Sequence, residues 1–204
     1  MVDANHIQQQ LVTHYTVEGD LVIHDDGVVD VQGHVWVNSL PKDRIMSVQF
    51  GTVTGDFRIP AKLKPASLQG CPHRVEGVFY IGKNNKITSL QQGPTWVGKS
   101  YVVMEGNPIR DLTGVAQHVD LLVIHENSML NNLNHMPEEI NFFQCPYHEQ
   151  LPILRLTQVP RAHLRDAWLG LQHILDKYVG KGKSHMLNFA LELKQAGYGG
   201  NAKW

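Results

Sequence analysis

Val31, Val53, Val75, Val97, Val119 and Ile140 stand 22, 22, 22, 22 and 21 residues apart. A β-branched or related apolar residue returning at that interval marks one short unit copied along most of the chain. A unit of this length, carrying one strand and a turn, cannot bury its apolar face alone and must stack on its neighbours. The period therefore confines the fold to a solenoid before any other motif is weighed.

Further columns keep the same step. Met46, Leu68, Leu90, Leu112, Leu133 and Leu154 follow the first set by 15 or 14 residues. Pro72, Pro94 and Pro137 precede it by three, and Gly33, Gly55 and Gly77 follow it by two. Between these columns the apolar residues alternate, as in Val35 and Val37, Phe57 and Ile59, Phe79 and Ile81, and Tyr101 and Val103. Alternation over a short run predicts a strand with one buried face, and stacked copies predict parallel strands about 4.8 Å apart. The rest of each unit is turn chemistry, with Asn84, Asn85 and Asn107 followed by Ile87 or Ile109.

The fold expected is a repeat β-solenoid of coils near 22 residues with a parallel sheet, about six coils over 31–158. Residues 1–30 read as an N-terminal cap: a helix over 3–15 capped by Asp3, with His6, Leu11 and Val12 near one face, then a hairpin turning at Asp25, Asp26 and Gly27. Residues 159–204 read as a cap of two helices. Leu164, Trp168, Leu171 and Leu175 space the first, which ends at Gly180 and Gly182; Leu187, Leu191 and Gln195 space the second, which ends at Gly197.

Among 204 residues the formal charge is −1, yet residues 160–204 carry +4 and the remainder −5. Neither part is basic enough to argue for nucleic acid, which is not expected as a partner. No apolar run reaches the roughly 18 to 20 residues of a membrane span, and the start MVDANHIQQQLVTHY lacks a signal-peptide core, so a cytosolic protein is expected. Cys71 and Cys145 fall in different columns about three coils apart, too far for a disulfide, and read as reduced structural thiols.

The repeat resembles short bacterial leucine-rich repeats, in which an apolar, any, apolar strand is followed by asparagine and another apolar residue. The segments HYTVEGDLVIHDDGVVDVQGHVWV, FGTVTGDF, LQGCPHRVEGVFYIGKNNKITSLQQGP and LELKQAGYGGNAKW, in that order, are similar to the phage-encoded leucine-rich-repeat-like proteins of large tailed bacteriophages. The resemblance implies the fold and a viral origin, with the host bacterial cytoplasm or the virion as its location, and brings no catalytic residues. Lys99 and Leu121 depart from the glycine column, and Ser128 and Met129 disturb the asparagine column.

Residues Gly93 to Ser100 match the phosphate-loop pattern GxxxxGKS. That loop works where a strand gives way to a helix whose N–H groups cradle phosphate. Here the period assigns Val97 to Val103 to a strand, so a nucleotide-binding enzyme is the third reading and not the first. Cys71 with His73, and Cys145 with His148, are each half a tetrahedral zinc set and are held apart by the solenoid. Glu138 and Glu139 read as a solvated turn. No cofactor, metal or catalytic residue is expected.

The outward face of the sheet carries more weight. If offsets 0, +4 and +6 from each period residue point inward, +3 and +5 point out. From the third copy onward those positions are markedly apolar, and a contiguous apolar surface marks an interface. Trp36, Tyr80, Val102, Leu122, Ile124 and Phe143 are the expected partner-binding residues. A single-residue slip would turn any of them to the other face. The function expected is a non-enzymatic protein-binding module, a phage accessory protein docking on a host or viral protein. A homo-oligomer seam is an alternative use of the same face, and a structural part of the phage particle is the alternative role.

Overall fold

The computed structural model describes residues 3–125, 135, 137, 139–144, 173–174, 177–178 and 183–197. Helix α1 spans Ala4–His14, and the Asp3 carboxylate starts it by accepting from Asn5 N (3.0 Å) and His6 N (3.3 Å). Ile7 and Leu11 are its buried pair, one turn apart. His6 and Val12, expected near that face, point to solvent, Val12 with 81% exposure, because the i, i+4 pair sets the core-facing stripe.

Strand β1 (Tyr15–Ile23) turns at residues 25–27 and pairs antiparallel with β2 (Val28–Val37) over nine residue pairs. From β2 onward the sheet is parallel. It runs through β3 (Gln49–Val53) with β4 (Phe57–Ile59), β5 (Arg74–Val75) with β6 (Phe79–Ile81), β7 (Trp96–Val103), β8 (His118–Ile124) and β9 (Glu139–Gln144). Val31, Val53, Val75, Val97 and Val119 are register partners in turn, and Ile140 follows beside Val119. The architecture is a parallel β-solenoid of about four turns at 22-residue spacing, with two helices. The expected fifth coil is described through β8 and the sixth through β9; Leu133, Leu154, Cys145, His148 and the helix spaced by Leu164, Trp168, Leu171 and Leu175 lie outside the described residues. Strand β2 serves both the hairpin and the first coil, so the expected boundary at residue 30 passes through a continuous strand. Glu139, expected in a turn, opens β9.

The core lies between the sheet and the returning turns. Offsets 0, +4 and +6 of the first four copies are buried, and Met46, Leu68, Leu90 and Leu112 close over them from behind. Phe50, Phe57, Phe79 and Tyr101 form an aromatic column along the axis, with neighbouring ring centroids 5.4, 5.9 and 4.8 Å apart. Each ring is fully buried, worth about 2 to 3 kcal/mol of transfer free energy before the entropy of ordering it is subtracted.

The turns are tied together by asparagine. Asn85 donates to Pro60 O (2.8 Å) and Gly82 O (3.2 Å) and accepts from Lys64 N (3.0 Å). Asn107, one period later, donates to Gly82 O (2.9 Å) and Met104 O (2.8 Å) and accepts from Ile87 N (3.2 Å). Both amides are buried, and each bridges its own coil to the one before. The glycine column has a packing cause. A Cβ on Gly77 would stand 2.4 Å from Asp56 Oδ1 and 2.5 Å from Gly55 O, and one on Gly55 would stand 2.8 Å from His34 Nδ1.

Helix α2 (Met186–Gln195) follows a short 3₁₀ turn at Lys183–His185 and ends at Gly197, whose φ is 87°. Its buried residues are Phe189, Ala190 and Leu193. Leu187 and Leu191, the residues whose spacing marks this helix in the sequence, are 71% and 49% exposed, because they lie on a different face from that trio. Tyr178 packs on Phe189 (5.3 Å) and donates to Glu192 Oε2 (2.8 Å), which also pairs with Lys177 Nζ (2.9 Å).

Candidate functional site: the outer face of the sheet

Side chains that alternate with the buried columns stand on the outside in rows running along the solenoid axis. One row is Trp36, Arg58, Tyr80 and Val102, consecutive partners in register; the next partner, Val123, is buried. A second, one residue before each period position, is Thr52, Arg74, Trp96 and His118. Trp36, Arg58, Tyr80, Val102, Trp96 and His118 are half-buried; Arg74 is exposed.

The rows are held by stacking and by internal ion pairs. The Arg74 guanidinium carbon lies 3.6 Å from the Trp96 ring centre, and on Trp96 the His118 imidazole stacks at 4.7 Å with the planes 4° apart. Arg74 Nε reaches Glu76 Oε1 at 3.4 Å. Arg58 Nη2 donates to Asp56 Oδ2 (2.7 Å), and its guanidinium carbon stands 5.8 Å from the Tyr80 ring centre. Burial works against the Asp56 charge, yet hydrogen bonds from Arg58 and from Val78 N (2.9 Å) outweigh it and hold the carboxyl below its ordinary value. His34 rests against Trp36 (5.6 Å) and accepts from Asp56 N on Nδ1 (2.9 Å), an arrangement that leaves the proton of the neutral ring on Nε2. Arginine and aromatic groups are thus presented in few conformations, so contact with a partner would cost little rotamer entropy.

Of the six residues expected on this face, Trp36, Tyr80 and Val102 are there. Leu122 and Ile124 are not: both are fully buried. The cause is a register shift between β7 and β8. Ser100 comes three positions after Val97, but its partner Leu121 comes only two after Val119, so Leu122 pairs with Tyr101 and Ile124 with Val103 in the core columns. The shift passes to β9, where Phe143 pairs with Leu122. Arg58, at offset +5 of the second copy, is on the outward face as its parity predicts, though it was not counted among the partner-binding residues; Arg74, Trp96 and His118 were missed by the sequence reading. The alternation that marks +3 and +5, carried back one residue from the period position, would have found the second row.

The phosphate-loop match does not form a loop before a helix. Residues 96–100 belong to β7, Lys99 N donates to Gly77 O of the preceding coil (3.2 Å), and Pro94 is buried. Cys71 is buried with Sγ 4.0 Å from Met46 Sδ, and burial pushes its thiol well above the ordinary range; His73 is exposed. Among the described residues no three His, Cys, Asp or Glu side chains gather as a metal site would require. Among the same residues no helix is long and apolar enough to cross a membrane.

Fold and face together define a parallel β-solenoid with an ordered aromatic and arginine surface. Against known proteins, no family model, no curated protein and no solved structure matches the chain.

Proposed function

We propose that the chain is a non-enzymatic protein-binding module that docks through the outer face of its sheet. The observation carrying this reading is the row Trp36, Arg58, Tyr80 and Val102, flanked by the Arg74, Trp96 and His118 stack. Tryptophan, tyrosine and arginine are the residues most enriched among interface hot spots, and a sheet face whose rings and guanidiniums are already ordered suits rigid docking. The resemblance of the sequence to phage-encoded leucine-rich-repeat-like proteins supports an accessory protein that modulates a host or viral protein in the bacterial cytoplasm. Service as a structural component of the phage particle would use the same face.

The test is affinity capture on the immobilised full chain from bacterial lysate, repeated with Trp36→Ala combined with Tyr80→Ala. One enriched protein that is lost with the double variant supports the module. Capture unchanged by that variant, with circular dichroism showing both chains folded, removes the sheet face from consideration. Presence of the chain in purified virions, without lysate capture, selects the structural role.

A further inference from the structure

A second surface sits on the turn edge of the solenoid, away from the aromatic rows. Lys42 and Arg44 lie in the turn after β2, Lys62 and Lys64 in the turn after β4, and Lys86 in the turn after β6; all five are exposed. Hydrogen bonds between turns set these segments side by side: Arg44 Nε donates to Lys64 O (2.7 Å), Ala66 N to Arg44 O (2.8 Å) and Lys62 N to Lys83 O (3.0 Å). Lys64 and Lys86 are one period apart. Among the described residues none of the five side-chain cations has a carboxylate within ion-pair distance, whereas Arg58, Arg74 and Lys83 each have one.

The backbone under these cations is unfavourable for the residues it carries. Arg44, Lys62, Lys64 and Lys86 have φ of 62°, 68°, 55° and 65°, in the left-handed region that is unfavourable for a residue with a Cβ. One period after Lys62 the same conformation is carried by Asn84 (φ 58°), and one period later by Gly106 (φ 75°), the residue types that adopt it with little penalty. At position 62 the chain thus keeps lysine where later copies show asparagine and glycine, and with Lys64 and Lys86 it sets like charges on adjacent coils, which repel. Neither choice serves the fold.

We propose that this surface binds an acidic segment of the partner protein, so that the partner is gripped at both the sheet face and the turn edge. The inference rests on the protein-binding reading above and names the chemistry of the partner. Unpaired cations at successive coils match carboxylates spaced along an extended chain, and lysine supplies mobile point charges suited to such a target. The turns at 38–48, 60–66 and 82–88 that carry these cations contain no aromatic residue to stack a base, which favours acidic polypeptide over single-stranded nucleic acid.

The test measures binding of the full chain to a glutamate-rich peptide at low and moderate salt, with a single-stranded oligonucleotide and phosphatidylserine vesicles as competing probes. Lys62, Lys64 and Lys86 are changed together to asparagine, which suits the left-handed backbone and keeps the fold testable. The expected result is salt-sensitive peptide binding that weakens about tenfold or more in the triple variant and is unchanged by Trp36→Ala. No peptide binding, equal binding by the folded triple variant, or stronger binding of the oligonucleotide or vesicles would overturn the proposal. Lysate capture lost with the sheet-face variant but kept by the triple lysine variant would leave the module standing and remove the acidic segment.

Discussion

Asn107 offers the sharpest test of how one coil is fastened to the next. Its buried amide donates to Gly82 O and Met104 O and accepts from Ile87 N. Changing it to alanine leaves two carbonyls and one N–H without that partner, in a place where the side chain had excluded water. Gly82 O keeps its bond from Asn85 Nδ2 (3.2 Å), so Met104 O and Ile87 N are the two groups left unmade, and at about 1 to 2 kcal/mol each the expected loss is about 2 to 4 kcal/mol. Asn107→Asp refines the reasoning because it keeps the shape and the acceptor while putting a second oxygen opposite two carbonyls. Ionisation there is opposed by burial and by those oxygens, so the folded state should hold the proton above the ordinary aspartate value of about 3.9. A carboxyl raised on folding leaves the variant at its best below the unfolded value and less stable as pH climbs through the folded one. Urea unfolding followed by far-UV circular dichroism should therefore show Asn107→Asp recovering toward the wild type between about pH 7 and pH 4. Asn107→Ala should track the wild type with a constant offset. A loss under about 1 kcal/mol for the alanine variant, or an aspartate variant parallel to wild type in pH, would refute the asparagine tie as a determinant of coil stacking.

Other consequences can be checked in the same unfolding assay. Tyr101 Oη is buried with no hydrogen-bond partner among the described residues, so Tyr101→Phe should keep the aromatic column and raise stability by about 1 kcal/mol; a loss would show that the hydroxyl is bonded. Gly77→Ala should destabilise by about 2 kcal/mol or more, since its Cβ meets the Gly55 carbonyl at 2.5 Å and backbone cannot swing aside; a neutral result refutes the packing account of the glycine column. The Asp56 carboxyl, lowered on folding, contributes stability above the unfolded value near pH 4 that is lost on acidification through the folded value. Asp56→Asn should accordingly cost about 1 kcal/mol or less at pH 7, with the gap closing below about pH 4. Leu122→Asp should unfold the chain while Tyr80→Ala leaves its stability within about 1 kcal/mol, and the reverse order would contradict the register between β7 and β8.

How much of this could be read from the residues alone differs between elements. The period was sufficient for the parallel pairing of β2 through β8, because residues one repeat apart in a stacked array have only each other as neighbours. Residue type alone sufficed for Asp3 as a helix start and for Gly27 in the hairpin turn, both matters of local backbone chemistry. The burial of Ile7 over Val12, and of Phe189, Ala190 and Leu193 over Leu187 and Leu191, was harder to see. Each helix has apolar residues on more than one face, and only the neighbour it meets selects between them.

The candidate surface divides along the same line. Trp36, Tyr80 and Val102 follow from two-residue alternation within regular coils. Leu122 and Ile124 went to the core because one residue fewer lies between the period position and the inward column in β8, and parity cannot report a length change it has no means to count. The stack of Arg74 on Trp96 and the cationic surface on the turn edge depend on which coils touch and on the local φ, so they exist only once the chain has wound. The 22-residue spacing by itself determined that the chain winds and which residues recur. Tertiary structure decided which face each one takes, because a strand's outward and inward positions differ by a single residue and only packing against the next coil chooses between them.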